Sequence, residues 1–330
     1  MEKRRLGNSS IEITPIAFGA WAIGGWMWGG AEVKDAVNAV RKSIELGITT
    51  IDTAPVYGFG LSEEITGEAI RGMRDKLQIL TKFGIRWDKK EGEFYFASAD
   101  NSGNKVDLYR YAGKESVIEE CENSLRRLGT DYIDLLQIHW PDSTTPVEET
   151  MEALNRLIEQ GKILAAGVSN FNVALLDKSA KVTGVASDQV PYSMLNRNIE
   201  QDLVPWCIEN NVGILAYSPL QRGVLTGKFD PDHEFNEGDH RAGLYWYKRE
   251  NIIRVNEFLA KIQPLAESKG ATISQLVLRW TIQQPGITCA LVGARDPGQV
   301  EENAGALSFS LSDDEVDFIN KELGKVELIP

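Results

Sequence analysis

Cysteine and histidine are scarce in this 330-residue chain. The three cysteines are Cys121, Cys207 and Cys289, and no C-x-x-C pair is present. This spacing excludes a zinc-ribbon site and a dithiol redox motif, and the apolar setting of each cysteine predicts buried, reduced thiols. There are only three histidines, and His139 has no second histidine and no convergent carboxylates nearby, so no metal site is predicted there.

The chain also lacks an excess of positive charge and a long apolar stretch. Its formal net charge of −13 opposes nucleic-acid or anionic-membrane binding as the main role. No stretch is apolar for long enough to span a bilayer, and the first residues, Met-Glu-Lys-Arg-Arg, lack the apolar core of a signal peptide. We therefore expect a cytoplasmic protein, whose oligomeric state, homo-oligomer or monomer, the sequence leaves open.

Eight short apolar runs alternate with stretches of helical periodicity. The runs are 15–18, 49–52, 78–82, 133–139, 165–169, 187–191, 213–217 and 288–292. The stretches between them carry apolar residues on one helical face and often stop at a glycine, as at Gly129. Eight such units predict a parallel sheet closed into a (β/α)8 TIM barrel. An open, doubly wound sheet is disfavoured, because residues 19–25 make a poor G-x-G-x-x-G turn.

Other segments add to the predicted barrel. Residues 6–13 predict a β-hairpin that turns at Asn8-Ser9, and residues 275–284 and 312–323 predict extra C-terminal helices. Ser312 and Glu315 form a capping box at the start of the last helix. No break in composition divides the chain, so a single domain over residues 1–330 is expected.

Two connections are too long to be simple linkers. They comprise residues 88–113 and residues 220–250, and both are rich in Tyr, Phe or Trp. Long connections in compact domains are often functional loops, and these aromatic residues predict that both pack on the rest of the protein.

Polar residues stand at the carboxyl ends of the predicted strands, where barrels of this type carry their active sites. Asp52 and Lys82 end adjacent strands, and charged residues are seldom buried unless they are paired. A structural salt bridge is the simplest interpretation of such a pair. Tyr57 and His139 nearby favour a catalytic one, with Lys82 stabilising the Tyr57 phenolate and His139 polarising a carbonyl oxygen. His139 as a hydrogen-bonded core residue is the rival interpretation.

A proton donor to a carbonyl oxygen is half of a reduction, and the hydride must come from a cofactor. Ser169, Asn170 and Gln189 have the groups to bind a carboxamide, and Tyr217 offers a flat face for a nicotinamide ring. Phosphate-binding candidates lie further along, at basic residues and a helix start. They are Lys228, Gly293, Arg295, Gln299, Glu302 and Asn303.

Six of the eight tryptophans follow predicted strands. They are Trp21, Trp26, Trp28, Trp87, Trp140 and Trp246. Tryptophan is usually a packing residue, but this many on one predicted face favour an apolar substrate pocket, for which we select Trp21, Trp87 and Trp140.

These motifs together resemble the aldo-keto reductase family over nearly the whole chain. Asp-Thr-Ala-Pro-Val-Tyr-Gly at 52–58, Leu-Thr-Lys at 80–82 and Leu-Leu-Gln-Ile-His at 135–139 resemble the family's catalytic tetrad in its usual order. Gly-Val-Ser-Asn-Phe at 167–171 and Gln-Val-Pro-Tyr at 189–192 are similar to its nicotinamide-binding segments. Residues 217–229 resemble the bacterial branch that is related to potassium-channel β subunits.

The resemblance implies reversible reduction of an aldehyde or ketone by the C4 hydride of NADPH. It implies Tyr57 as proton donor, supported by Asp52, Lys82 and His139, and no metal or flavin. Further cofactor contacts are implied at Gly19, Ser218, Pro219, Leu220, Arg222 and Gly223. Arg295 would take the 2′-phosphate, but the usual Lys-Ser pair is replaced by Gly293-Ala294, so NADH also remains a candidate cofactor.

Two other functions were weighed on the same residues. A cofactor-binding sensor or scaffold with slow turnover is disfavoured by the complete set of four catalytic residues. Sugar isomerisation would require paired carboxylates or metal ligands at several strand ends, which the sequence lacks. The physiological substrate is left open, as is the role of residues 88–113.

Overall fold

The computed structural model describes residues 2–28, 32–235 and 239–330, and its centre is a closed parallel barrel. The strands in these ranges are β1 (Arg4–Arg5), β2 (Glu12–Ile13), β3 (Ile16–Gly19), β4 (Thr50–Asp52), β5 (Gln78–Phe83), β6 (Ile85–Arg86), β7 (Glu93–Ala99), β8 (Lys105–Arg110), β9 (Ile133–Ile138), β10 (Ile163–Ser169), β11 (Val185–Pro191), β12 (Gly213–Tyr217) and β13 (Ile287–Gly293). The helices are α1 (Val33–Glu45), α2 (Leu61–Ala69), α3 (Lys114–Leu128), α4 (Val147–Glu159), α5 (Val173–Ala180), α6 (Leu203–Glu209), α7 (Arg249–Ser268), α8 (Ile273–Gln283), α9 (Pro297–Ala304) and α10 (Asp313–Leu323).

The barrel follows the order of the chain. Strands β3, β4, β5, β9, β10, β11, β12 and β13 pair in sequence, and β13 closes on β3. All of these pairs are parallel, as the short apolar runs predict. The predicted (β/α)8 barrel is confirmed, and the eight predicted runs overlap these strands to within two residues at each end.

The amino-terminal hairpin closes one end of the barrel. β1 and β2 pair antiparallel, and Leu6, Ile11 and Ile13 of this hairpin are buried against inward-facing barrel residues such as Leu80 and Leu135. This apolar plug removes water from the amino-terminal mouth. The site must therefore open at the other end, where the strands finish.

The two extra carboxyl-terminal helices are confirmed as α8 and α10. Ser312 caps α10, and its side chain and that of Glu315 exchange hydrogen bonds with each other's backbone N–H groups, which is the predicted capping box. None of the described helices is long and apolar enough to cross a membrane.

The prediction of a long loop over residues 88–113 is wrong, because half of this segment forms two strands of an antiparallel sheet. β8 pairs with both β6 and β7. The tight turn between β7 and β8 is held by Asp100, whose carboxylate accepts hydrogen bonds from the backbone N–H groups of Ser102 and Asn104. Of the aromatic residues in this segment, Tyr95 and Phe96 pack on Trp140 and Trp26 of the loops that follow barrel strands, as predicted, whereas Phe94 is largely exposed and meets Tyr109.

The second long connection consists mainly of short turns. Tight 3-10 turns form at Gln221–Thr226, His240–Gly243 and Tyr245–Tyr247, while residues 236–238 of this prediction lie outside the described ranges. The Tyr247 hydroxyl donates to the Arg222 carbonyl at 2.7 Å, and the rings of Phe229 and Tyr247 meet at 5.0 Å. The predicted packing of this connection is thus confirmed.

Candidate active site

A cavity of about 710 Å³ opens at the carboxyl ends of the barrel strands. Most of the residues selected from the sequence line it: Gly19, Trp21, Asp52, Tyr57, His139, Trp140, Ser169, Asn170, Gln189, Tyr217, Ser218, Pro219, Leu220, Arg222, Gly223, Gly293, Arg295 and Gln299. Its volume is in the range of pockets that bind small molecules and cofactors.

At the base of this cavity Lys82 and Asp52 form a buried ion pair. Both side chains lie at strand ends, at 0 % and 4 % exposure, and Lys82 Nζ lies 2.7 Å from Asp52 Oδ2. Lys82 also donates to the Thr53 carbonyl at 2.9 Å, and Gln189 Nε2 donates to Asp52 Oδ1 at 2.8 Å. Each charge is thus paired and hydrogen-bonded, as burial requires.

Tyr57 lies above this pair. Lys82 Nζ is 5.0 Å from the centre of the Tyr57 ring, and the His139 ring meets that ring edge to face at 5.6 Å. Gly58 has a φ of +69°, and a Cβ there would lie 2.1 Å from the Gly24 carbonyl oxygen. This close approach of two loops holds the Trp21 ring against Tyr57, with centroids 6.0 Å apart.

The protonation states of these groups are set mainly by burial. Burial, and then the Asp52 carboxylate, raise the pKa of Tyr57 well above its ordinary value. Burial lowers the pKa of Lys82 against the opposing effect of Asp52. Burial and the Lys82 charge lower the pKa of His139 well below its ordinary value. Tyr57 is therefore a neutral phenol and His139 a neutral imidazole at neutral pH.

In this structure the effect of burial on the pKa of Tyr57 outweighs the stabilisation of its phenolate that the sequence leads us to expect from Lys82. The Lys82 charge is neutralised by Asp52 at 2.7 Å, so the loss of water around the hydroxyl dominates the pKa of Tyr57. The Tyr57 hydroxyl therefore keeps its proton at neutral pH and can donate it.

Amide and hydroxyl groups form a network at the carboxyl ends of β10, β11 and β12. Asn170, in the left-handed region at φ 62°, donates through Nδ2 to Ser169 Oγ and to the His139 carbonyl, at 2.9 and 3.1 Å. The Tyr217 hydroxyl donates to Asn170 Oδ1 at 2.9 Å, which fixes its ring, and Ser169 Oγ donates to the Gln189 carbonyl at 2.7 Å. These contacts preorganise the wall where the sequence predicts a carboxamide site.

The turn after β12 is strained. Ser218, Gln221 and Arg222 have positive φ, and such conformations cost a non-glycine residue of order 1–3 kcal/mol each and cluster at ligand clamps. The Arg222 guanidinium lies 5.8 Å from the centre of the Trp21 ring, and burial lowers its pKa. Within the described ranges it has no carboxylate partner, which leaves it available to an anionic group.

At the far end of the cavity, Arg295 stands at the start of α9. Its backbone N–H donates to Gln299 Oε1 at 3.0 Å, and Asp296 caps the helix. The Arg295 side chain is exposed and forms no ion pair with the described residues. A phosphate could bind here without competing with a carboxylate.

Five of the selected residues do not line the cavity. Lys82 lies behind Asp52, and Lys228 is exposed to solvent. Trp87 packs on Phe59, the Glu302 carboxylate accepts a hydrogen bond from Thr272, and Asn303 Nδ2 donates to the Gly293 carbonyl. Asn303 thus supports the loop before α9, while the contact with Thr272 directs Glu302 toward α8.

The structure adds residues that the sequence did not select. Gln137 Nε2 approaches Asp52 Oδ1 at 3.5 Å, a position that the alternation Leu135, Gln137, His139 along β9 could have indicated. Arg241 lines the cavity, pairs with Asp239 at 2.7 Å and lies over the Trp28 ring. No local pattern marks Arg241, because tertiary packing brings its loop over the barrel.

The family model described as the aldo/keto reductase family matches residues 15–323. The chain belongs to the aldo/keto reductase family. The NADH-specific methylglyoxal reductase of Escherichia coli is 37% identical over 319 residues, which cover 95% of each protein. A glycerol dehydrogenase of Gluconobacter oxydans has a structure similar to this one, with a TM-score of 0.89, 36% identity, and coverage of 99% of this chain and 97% of that one. An aldo/keto reductase of Klebsiella pneumoniae, solved with NADP and acetate, gives a TM-score of 0.72 at 29% identity, with both chains fully covered.

Membership in the aldo/keto reductase family agrees with the resemblance drawn from the residues, and it makes this chain an oxidoreductase that acts on carbonyl groups. The relatives cover almost the whole chain, so the family assignment applies to the barrel and to the long connections alike.

Proposed function

We propose that this chain, acting as a single domain over residues 1–330, reduces aldehydes or ketones to alcohols with a nicotinamide cofactor and uses Tyr57 as the proton donor. The observation that carries the assignment of Tyr57 is a neutral phenol that lines the cavity, next to a buried Lys82–Asp52 pair and a neutral His139.

The residues present fit a nicotinamide dinucleotide. The amide network of Ser169, Asn170 and Gln189 offers partners to a carboxamide, and the fixed Tyr217 ring offers a face on which a nicotinamide ring can stack. Arg222 in the strained turn would bind the pyrophosphate. The bound cofactor supplies the hydride.

Tyr57 then acts as general acid. Its hydroxyl hydrogen-bonds the carbonyl oxygen of the substrate and gives up its proton as negative charge develops on that oxygen. Lys82, 5.0 Å from the Tyr57 ring centre, stabilises the phenolate that remains, and Asp52 holds the ammonium in place. The neutral imidazole of His139 hydrogen-bonds the same oxygen and orients it, and it adds no second positive charge beside Lys82.

We assign NADPH as the cofactor, with NADH as an alternative. Arg295, with Gln299 beside it, would bind the 2′-phosphate that only NADPH carries. The named relatives include one solved with NADP and one that is NADH-specific, so both cofactors occur among proteins similar to this chain.

Replacing Tyr57 with Phe tests the assignment. We expect kcat for a reactive aldehyde such as methylglyoxal or 4-nitrobenzaldehyde to fall by about 10²- to 10⁴-fold, since only the proton donor is removed. NADPH affinity, measured by fluorescence titration, should stay within about twofold. A folded variant that loses both turnover and NADPH binding would refute the role of Tyr57. Tight NADPH binding without wild-type turnover would instead indicate a sensor or scaffold.

A further inference from the structure

The antiparallel sheet β6–β8 stands outside the barrel and reaches into the cavity. Ile85, Tyr95, Phe96 and Leu108 from this sheet line it, and Ile85 and Leu108 are buried. Trp26 and Trp140, from the loops after β3 and β9, complete the same side. We call these six residues, Trp26, Ile85, Tyr95, Phe96, Leu108 and Trp140, the aromatic wall.

The aromatic wall is fixed to the barrel loops. The rings of Trp26 and Phe96 are nearly parallel, at 8° with centroids 6.2 Å apart. The Trp26 indole N–H donates to Ser98 Oγ at 3.1 Å, and Asn101 Nδ2 donates to the Gly24 carbonyl at 3.0 Å. An aromatic contact and two hydrogen bonds therefore join β7 and the turn after it to the loop that follows β3.

Tyr95 is held from three sides. Its ring meets Phe96 at 4.8 Å and Trp140 at 5.9 Å, and the Arg110 guanidinium lies 4.9 Å from its centre. Arg110 is itself paired with Glu93 at 2.7 Å. Rings that are already fixed lose little freedom when a ligand packs on them, so their contacts contribute fully to binding.

The chemistry of the wall determines what can bind there. None of its six residues is charged, and four of them are aromatic. Val56 and Tyr57 line the same cavity and belong to the same apolar cluster as Trp26, Ile85 and Leu108, so the substituents of a carbonyl compound bound at Tyr57 lie within reach of this wall. Aromatic rings packed against rings gain attraction beyond the area that they bury.

We propose that the aromatic wall determines substrate specificity, and that it selects carbonyl compounds whose substituent is an aromatic ring or a group of similar apolar bulk. This inference rests on the proposed carbonyl reduction, and it adds the substrate class that the sequence left open. The sheet β6–β8 would then serve substrate recognition, while the proposed catalytic residues lie on the barrel and its loops.

The test compares 2-naphthaldehyde with propanal as substrates of the wild type and of Phe96→Gln. Glutamine keeps much of the size of the side chain but removes its aromatic face. We expect kcat/KM for 2-naphthaldehyde to fall about tenfold or more, and that for propanal to change less than about threefold. The ratio of the two values cancels the intrinsic reactivity of each aldehyde.

Phe94→Ala is the matched control on the same strand. Phe94 is 53 % exposed, contacts Tyr109 and does not line the cavity, so this variant should leave the ratio unchanged. Phe96→Leu, which restores an apolar surface, should recover part of the preference. Unchanged NADPH affinity shows that each variant is folded, because none of the proposed cofactor contacts belongs to the aromatic wall.

Direct binding separates this inference from the proposed function. We expect 2-naphthalenemethanol, the alcohol product, to bind the wild-type complex with NADP more tightly than Phe96→Gln by a similar factor, by calorimetry. If both aldehydes are reduced and Phe96→Gln leaves the ratio of their kcat/KM values unchanged, the proposed role of the aromatic wall is wrong and the proposed reductase activity stands. If the alcohol binds more tightly to the wild type than to Phe96→Gln but neither aldehyde is reduced, the proposed reductase activity is wrong and the proposed role of the aromatic wall stands.

Discussion

At the scale of single residues, the site depends on groups whose charged forms are disfavoured by burial. Tyr57 keeps its proton because it is buried beside a carboxylate, and His139 stays neutral because it is buried near Lys82. Lys82, the buried cation beneath Tyr57, has two hydrogen-bonded oxygen partners within 3 Å.

These protonation states predict an asymmetric dependence on pH. Because the pKa of Tyr57 is raised and that of His139 is lowered, neither group titrates between about pH 6 and 8, and kcat/KM for reduction should be flat there. Alcohol oxidation should accelerate as pH rises, since Tyr57 must first lose its proton to act as a base. Steady-state rates in both directions check this. A step near pH 6.5 in the reduction profile would instead identify His139 as the titrating acid.

A second prediction at this scale concerns Arg295. Arg295→Ala should weaken NADPH binding by about tenfold or more, since a charge-assisted contact contributes about 1.5–3 kcal/mol, and should leave NADH binding nearly unchanged. Fluorescence titration with both cofactors measures the difference. Lys228→Ala is the control, because Lys228 is an exposed cation that does not line the cavity. Equal losses for both cofactors would show that Arg295 does not recognise the 2′-phosphate.

At the scale of elements, α3 fastens the segment between β5 and β6. Glu120 of α3 accepts hydrogen bonds from the Gly84 backbone N–H at 3.0 Å and from the Ser116 hydroxyl at 3.1 Å. Arg86 is 1 % exposed and lies 3.8 Å from the same carboxylate. Burial nevertheless raises the pKa of Glu120 to about 7. This segment links Lys82 to Ile85 of the aromatic wall, so the contact supports both.

The raised pKa of Glu120 predicts how stability changes with pH. Between its ordinary value of 4.5 and about 7, the folded protein keeps a proton that the unfolded chain has released, so this group's contribution to stability is lost as pH rises through that window. In Glu120→Gln the free energy of unfolding should decline less steeply, by up to about 1.4 kcal/mol per pH unit. Urea unfolding at several pH values measures both slopes. Parallel slopes in the two proteins would mean that Glu120 is ionised throughout.

At the scale of the whole molecule, the packed fold buries its cysteines. Cys121, Cys207 and Cys289 are free and buried, and burial raises the pKa of Cys121 and of Cys207 to about 12. They lie on a helix of the outer layer, on another such helix and on a barrel strand, so global unfolding is the route that exposes all three.

We therefore predict that thiol reagents leave the native enzyme active. A chromogenic disulfide should label fewer than one thiol per chain in buffer and all three in denaturant, because only thiolates at the surface react. Labelling is followed by absorbance and compared with residual carbonyl reduction. Rapid modification of the folded enzyme would reveal a local opening that the packing of these residues does not indicate.

The sequence by itself determined the barrel, because its strands are local apolar runs and its helices local periodic stretches. It also brought Asp52, Lys82 and His139 together, since parallel strands finish at one edge of the barrel. The order of the motifs along the chain was sufficient to identify the family. Each of these inferences depends on neighbours in sequence or on one topological rule.

Only the tertiary structure decided the rest. The sign of the pKa shift at Tyr57 depends on how much water is removed around its hydroxyl, and that is a property of the packed loops. The segment 88–113 contains two strands because β8 pairs with β6 on one side and with β7 on the other, and its Phe96 ring packs on Trp26, which lies seventy positions earlier in the chain. Glu302 was directed to Thr272 by the contact of α9 with α8. Packing between distant segments is thus what distinguishes this site from a generic barrel mouth, because desolvation and ring contacts are not encoded in any local pattern.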